Sequence, residues 1–570
     1  MANIVVNLTE ARLNDSPCYE ALSYSWATED GDAESNCAIL CNGRRFMVTK
    51  NCDAALRRLR QPMKHVILWV DSICIDQSST TEKNVQVALM ADIYRVASKV
   101  RIWLGEASDL IDSSTGKAVS TVFLEYTTLI ANEMRLLKES GKAEATLSLF
   151  CRTRSELASA VRTNEQTPFT EGLWHIESRR WWKRVWVVQE ALLARSAIII
   201  CGDGEALYSD LYSWITFALM RSYSDSRQIF RRLEFIGGHM LINQAIRPHE
   251  IMRNRLPTHE PLGAVGQLLS QSRCLHATDN RDHIFAMLGL LDNLRVKLPA
   301  PDYNLQVADV YIQTMRSLIE HSNSLAILSE TDYQSHSLGL PSWVVDWSKT
   351  PFQVLQGRIR YTYHATGESR SSYRFLNYHR VLMVTGKIIS SINYLPKAAN
   401  NSAYKFPYDM REATAGMKKS MDVAIAAQRL DESINDEVIW RTLCWDMDEK
   451  FTHPAPAATG KQFRMFRDIF HAETEAEDIT RRLTREAYYF CQRYIHSMCL
   501  CITQEGMIAS VPWNAEEGDI LALIGGVGTP FVLRSAGCRY HLIGNCFLYG
   551  AMNGEAWSSD VHELQRLELS

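Results

Sequence analysis

Residues 65–77 read HVILWVDSICIDQ. The run HVILWV is apolar and is bounded by Pro62 and Asp71, the pattern of a parallel strand buried on both faces. Upstream, Tyr19–Tyr24 is a second short apolar strand, ILCNGRRFMVT makes a hairpin centred on Asn42-Gly43, and Asn51–Arg60 is a helix. Downstream, Val85, Leu89, Ile93 and Val96 recur at helical spacing within Glu82–Ala97, and Val100–Leu104 is again a strand, stopped by Gly105. Arg179–Ala194 reads as one helix, and Ala197–Cys201 (AIIIC) as a further strand ended by Gly202. This order predicts an α/β fold, a doubly wound parallel sheet flanked by helices.

In open parallel sheets ligands sit beyond the carboxyl ends of the strands. Those ends deliver Ser25 and Trp26, then Asp71, Ser72, Cys74 and Asp76, then Gly105 and Glu106. Three functions are open to the loop 71–77: ribose hydroxyl binding by Asp71, a thiol nucleophile at Cys74, or a carboxylate metal site from Asp71 and Asp76. Against them, an Asp just past a strand often caps the next turn, and a Cys between two Ile residues usually packs in a core. No His lies near Cys74 in sequence except His65, which weighs against an activated thiol. Trp26, at a strand's carboxyl end, suits stacking on a ring; no glycine-rich phosphate cradle of dinucleotide or P-loop type is present.

Three blocks together, YEALSYSW (19–26), HVILWVDSICIDQ (65–77) and RVWVVQEALLA (184–194), resemble the HET (heterokaryon incompatibility) domain of filamentous fungi, a family tied to self/non-self recognition and programmed cell death. The usual family loop reads Asp-Ala-Ile-Cys-Ile-Asn-Gln, from which Ser72 and Asp76 depart, and Ala27 stands where the family has Gly. YEALSYS also resembles, more remotely, the opening strand of TIR domains. That resemblance implies a TIR-like, flavodoxin-like sheet. It also implies that a helix bearing a Trp and, four residues on, a Glu supports cleavage of NAD; Trp186 and Glu190 stand in those positions, after an insertion at about 107–176. The chemistry fits a carboxylate, because breaking the nicotinamide–ribose bond builds oxocarbenium character on the sugar and expels a neutral leaving group. The expected site is then Glu190 as the catalytic residue, Ser25, Trp26, Asp71 and Trp186 binding substrate, Cys74 and Asp76 as further candidates, and no metal. The competing reading of Glu190 is a surface ion pair with Arg184 or Arg195.

The remaining sequence supports this frame. With 570 residues, 46% of them hydrophobic, the chain is too long for one ordinary core. The expected organisation is a HET/TIR-like α/β domain at 1–205, a mainly helical region at 206–350, and a C-terminal α+β region at 351–570 carrying a small β-barrel or folded sheet. Helices are expected at Asp431–Trp445 and Glu475–Ser497. Further family-like blocks are CLHATDNRDHIFAMLGL (274–290), whose Thr278–Asp282 run is read as a helix N-cap, PSWVVDW (341–347), GDILALIGG (518–526) and LIGNCFLYGAMNGE (542–555). A net charge of −4 and pI near 6.5 favour neither nucleic acid nor an anionic membrane as partner. No segment has the length of a membrane span and no N-terminal signal is seen, so a cytoplasmic protein is expected, with its 14 cysteines reduced. NAD enters as substrate of a nucleosidase-type hydrolase, with no bound cofactor, a small-molecule ligand and possible self-association as partners. The alternatives are a non-enzymatic signalling or assembly module for allorecognition, and a HET-fold enzyme of small-molecule (secondary) metabolism.

Overall fold

The protein is described from a computed structural model, covering residues 3–15, 17–61, 63–139, 167–219, 261–331, 338–350, 362–396, 422–429, 435–448, 452–472, 498–558 and 560–570. The helix expected at Glu475–Ser497 lies outside these residues. The chain divides into two compact units, Met1–Gln306 and Val307–Ser570.

In chain order the first unit contains β1 (Val5–Val6), β2 (Glu20–Tyr24), β3 (Cys37–Cys41), β4 (Arg44–Val48), α1 (Lys50–Leu59), β5 (Leu68–Trp69), α2 (Asp71–Cys74), α3 (Thr80–Val96) and β6 (Lys99–Trp103). There follow α4 (Val119–Glu139), α5 (Pro168–Glu177), α6 (Trp186–Leu192), β7 (Ala197–Cys201), β8 (Gly204–Leu207), α7 (Tyr208–Leu219), α8 (Pro261–Ser272), α9 (Asp282–Phe285) and α10 (Leu288–Asn293). The central sheet runs β5-β2-β6-β7-β8. Its first four strands are parallel and β8 is antiparallel to β7. Numbered by sequence these strands lie in the order 2-1-3-4-5, one of the two common doubly wound orders. The α1 helix starts at Thr49, whose hydroxyl accepts from the Cys52 N–H, and α3 at Ser79, which accepts from that of Glu82; each satisfies one orphan amide. Leu22 and Tyr24 of β2 pack with Cys52, Ala55 and Leu56 of α1, while Ser23 points to the opposite face, where α6 lies. The β3–β4 hairpin turns at Asn42 and Gly43, both left-handed (φ 50° and 74°), as a two-residue turn requires.

Three expectations need correction. The strand expected at 65–70 is ordered as a strand only at Leu68–Trp69, and both residues are half-buried, because it sits at the sheet edge and lacks a neighbour on one side. On α3 the buried positions are Val87, Met90, Ile93 and Tyr94, while Val85 is 55% exposed and Leu89 37%; the Tyr94 hydroxyl, donating to the Leu22 carbonyl at 3.2 Å, turns that face to the sheet. The single helix expected at 179–194 is a 3-10 turn, Arg180–Lys183, then α6. Backbone groups between them pair with His276, which donates to the Lys183 carbonyl (2.5 Å) and accepts from the Val185 N–H (3.0 Å). The strand Ala197–Cys201 ends at Gly202 as expected, and the turn there leads into the hairpin strand β8, which periodicity did not reveal.

The second unit begins with α11 (Val307–Ser322). Pro341–Trp347 forms turns that bury Trp343 and Trp347. Then come β9 (Tyr373–Leu376), β10 (Val381–Tyr394), α12 (Asp436–Leu443), α13 (Ala457–Ala472), β11 (Met498–Thr503), β12 (Ile508–Pro512), β13 (Ile520–Ile524), β14 (Phe531–Ala536), β15 (Arg539–Asn545), β16 (Phe547–Leu548) and β17 (Gln565–Leu569). Helix α12 lies within the helix expected at Asp431–Trp445; residues 431–434 lie outside the described ones. Strands β9–β17 form a nine-stranded sheet in which β10 pairs with β17, β13, β9 and β11. Irregularities in β10 at Ile388/Ser390 and Ile392/Tyr394 let this long strand bend from one set of partners to the next. Of the two forms expected, barrel or folded sheet, this is a folded sheet rather than a closed barrel.

Candidate functional site

The strand order reverses between β2 and β6, so their carboxyl ends mark the crevice where an open α/β sheet takes a ligand. Asn51, at the start of α1, ties these ends together: its Nδ2 donates to the Ser25 carbonyl (2.6 Å) and its Oδ1 accepts from Trp103 Nε1 (2.8 Å). Ser25 is buried and contributes that carbonyl to the frame.

Beneath this point lies a buried carboxylate. Glu190 is 1% exposed and accepts a hydrogen bond from the Ser23 hydroxyl, which in turn accepts from Trp181 Nε1 at 2.8 Å. Burial pushes the Glu190 carboxyl up to about 7; Arg184 and the Ser23 hydrogen bond pull it down, and Asp71 pushes it further up. The Arg184 guanidinium donates to the Tyr24 carbonyl at the end of β2 and acts on the Asp71 carboxylate as well, which burial raises and which Arg184, Trp26 and the Ser72 amide lower. Asp71 accepts from Trp26 Nε1 (2.9 Å) and from the Ser72 N–H (2.7 Å), and Tyr24 Oη donates to Ser72 Oγ (2.7 Å). The arrangement is a pair of shielded carboxylates with one guanidinium acting on both. It can hold a proton near neutrality and oppose a positive charge.

The candidates thus divide. Trp26 and Asp71 are hydrogen-bonded to each other, with Trp26 packed against the apolar cluster on the α1 face of the sheet. Glu190 lies on the other face, coupled to Asp71 through space. Cys74 is half-buried, its thiol accepts from the Val70 N–H (3.5 Å), and burial raises its pKa, the opposite of an activated thiolate. Asp76 accepts from the amide and hydroxyl of Ser78, an exposed turn cap. Among the described residues no three His, Cys, Asp or Glu side chains are grouped to hold a metal, and the described cysteines are free thiols. Glu190 is buried rather than at the surface: Ser23 donates to its carboxylate, and Arg184 acts on it through charge. Ser23 and Trp181 lie outside the expected site, and Arg184 entered only as a surface ion-pair partner; only the strand alternation that turns Ser23 away from α1 could have pointed to the first.

Trp186 faces elsewhere. Its Nε1 donates to the Asp282 carboxylate (3.0 Å), which also accepts from Tyr303 Oη (2.5 Å). Asp282 is therefore a buried bridge to α6 rather than the expected cap, and it is Asp279 that accepts from the Arg281 N–H. One turn along α6, Gln189 Oε1 accepts from the Gly289 N–H (3.0 Å). So α6 is held on one face by Ser23 and on the other by residues 282–289. Trp186→Phe leaves Asp282 short of one donor and is expected to lower stability by about 1–3 kcal/mol, read from urea unfolding; an unchanged midpoint would show that the bridge contributes nothing.

At the ends of β6 and β7, buried Arg179 donates to the Glu106 carbonyl and approaches His175. Burial, then Arg179, lowers the His175 pKa to about 4, so its ring is neutral. Gly105 has φ +108°, and a Cβ there would meet Arg179 Nη1 at 3.1 Å.

Comparison with known proteins bears on the whole chain. The family model described as heterokaryon incompatibility protein (HET) matches residues 19–190, and that of the Het-6 beta-barrel domain matches residues 437–563. Heterokaryon incompatibility protein 6, OR allele, of Neurospora crassa is 24% identical over a 640-residue alignment that covers 96% of this chain and 91% of the relative. No solved structure matches. Among the described residues no helix is long and apolar enough to cross a membrane.

Proposed function

Because the chain belongs to the heterokaryon incompatibility (HET) family of fungal proteins, we propose that its N-terminal unit is a TIR-like domain that cleaves the nicotinamide–ribose bond of NAD in the cytoplasm during an incompatibility or cell-death response. The observation that carries this reading is Glu190, a buried carboxylate poised near neutrality below the point where the strand order reverses, with Arg184 and Asp71 acting on it. In the reaction the C–N bond breaks with its electron pair leaving on the nicotinamide nitrogen, water adds to the ribose carbon, and a proton goes to solvent. Ionised Glu190 opposes the oxocarbenium charge in between. Asp71 and Trp26 serve the ribose and an aromatic ring.

The test is nicotinamide release from NAD by the whole chain, followed by chromatography; absence of release at high protein concentration sinks the reading. Arg184→Gln removes the cation that favours ionised Glu190, so the pH midpoint of release is expected to move upward by about one unit. An unmoved midpoint would dissociate Arg184 from the chemistry.

One observation favours a second reading. Ser23, Trp181 and Glu190 satisfy one another without a substrate, so the network also serves to hold α6 on β2 in a non-enzymatic module for assembly. Cell toxicity that survives Glu190→Gln, with no nicotinamide released by either form, would select that reading.

A further inference from the structure

Trp181 and Glu190 come from two elements that the sequence predicts as one helix, and both reach the same serine. On an uninterrupted helix they would stand nine residues apart, about two and a half turns, and so on opposite faces. Arg184, extended at φ −82° and ψ 138°, breaks the helix between them. The break is held from outside by His276, whose backbone pairs with the Lys183 carbonyl and the Val185 N–H. The 3-10 turn thus directs the Trp181 indole, and α6 the Glu190 carboxylate, onto Ser23 of β2. All three residues are buried.

The chemistry of the three groups gives this contact a direction. An indole N–H only donates, and a hydroxyl has one proton. Because Trp181 Nε1 donates to Ser23 Oγ at 2.8 Å, one lone pair of that oxygen is taken, and its proton goes to the Glu190 carboxylate. Among the described residues the Ser23 hydroxyl has no other partner. A neutral Glu190 that donated its own proton to Ser23 would leave the serine proton buried without an acceptor, which is costly, whereas the ionised carboxylate accepts it. Donation from the indole also polarises the hydroxyl and strengthens its bond to the carboxylate. Trp181 packs T-shaped on Trp182, at 4.7 Å and 85°, which keeps the indole in place.

We propose that Ser23 and Trp181 are positioning residues of the NAD-cleaving site: the indole fixes the serine hydroxyl as a donor to Glu190, and this one-way relay holds the carboxylate charged and in one orientation. The proposal rests on the NAD reading for what Glu190 acts on, whereas the relay itself rests on the hydrogen-bond geometry. The other titratable groups that interact with Glu190 are Arg184, Asp71 after β5 and Tyr94 of α3, and the variants that test the relay leave all three in place.

Infrared spectroscopy of the whole chain, read as the protonated-carboxyl band that Glu190→Gln removes, gives the pH at which Glu190 ionises without any turnover. Ser23→Ala is expected to move that midpoint upward from about 7 by about one unit. Trp181→Phe should move it the same way by less, and Ser23→Thr, which keeps the hydroxyl, should leave it in place. Nicotinamide release should follow: Ser23→Ala loses about fivefold in kcat at pH 7 with KM unchanged, and recovers as pH rises by about two units. A merely structural Ser23 would lower the unfolding midpoint and leave the ionisation pH unmoved. Should Trp181→Phe not fold, Ser23→Ala against Ser23→Thr decides. Unmoved ionisation in the folded variants overturns the relay, and alongside continued nicotinamide release it overturns the relay alone. The expected shifts in a chain that releases no nicotinamide keep the relay and overturn NAD cleavage.

Discussion

Glu190→Gln is expected to lower nicotinamide release from NAD by about a hundredfold or more, the scale of losing one preorganised electrostatic stabiliser. The substitution keeps size and a hydrogen-bond acceptor for Ser23 and removes only the charge. In the wild type the active form is the ionised one, so release should rise with pH through about 7, the pKa to which burial drives Glu190 against the pull of Arg184 and Ser23. Stability should move the other way. The folded-state pKa lies above the ordinary 4.5, so the contribution of neutral Glu190 is fully present below pH 4.5 and is lost as pH rises through about 7. Integrated over that window the loss amounts to about 3 kcal/mol, which the Gln variant escapes. At pH 8 the variant should therefore be the more stable protein and the less active one, with the difference in stability vanishing near pH 4. Thermal unfolding at both pH values checks this, and a variant less stable than wild type at pH 8 would contradict a buried, shifted carboxylate.

Gly289→Ala is expected to destabilise the first unit by about 1–3 kcal/mol, the range for overpacking a filled site. A Cβ at this position would lie 2.3 Å from the Cβ of Ala91 on α3 and 2.7 Å from Gln189 Oε1 on α6. Alanine's better helix propensity returns about 1 kcal/mol of intrinsic preference, less than the contact costs when neither α3 nor α6 can move freely. Denaturant unfolding gives the value, and Ala91→Gly in the same chain should recover part of it by removing the closer contact. Full stability in the single variant would mean that α3, α6 and α10 pack more loosely than their approach distances require.

Much of the first unit was legible from short-range pattern. Glu20–Tyr24, the Asn42-Gly43 turn, α1, β6 and β7 lie within a residue or two of their expected places, because each is set by neighbours along the chain: alternation, a cap, a glycine stop. The carboxyl ends that carry Trp26 and Asp71 followed from that order alone, as did the family resemblance carried by 19–26, 65–77 and 184–194. Less legible was the orientation of helices. Both candidate faces of α3 have helical spacing, and the Tyr94 hydrogen bond to Leu22, 72 residues away, decides which one is buried.

What the sequence by itself determined was the α/β alternation, the residues delivered to the strand ends, the acidic residue four positions after Trp186, and the resemblance to the HET family. Tertiary structure alone decided that β5 is an edge strand, that 179–194 breaks where its backbone pairs with His276, that Trp186 turns to Asp282, and that Glu190 turns inward to Ser23 and becomes a shifted carboxylate. The physical reason is range. Periodicity and capping are interactions over a few residues, whereas burial, pKa and the partner of a polar side chain depend on groups such as Ser23, 167 residues from Glu190, that only the topology of the sheet brings together.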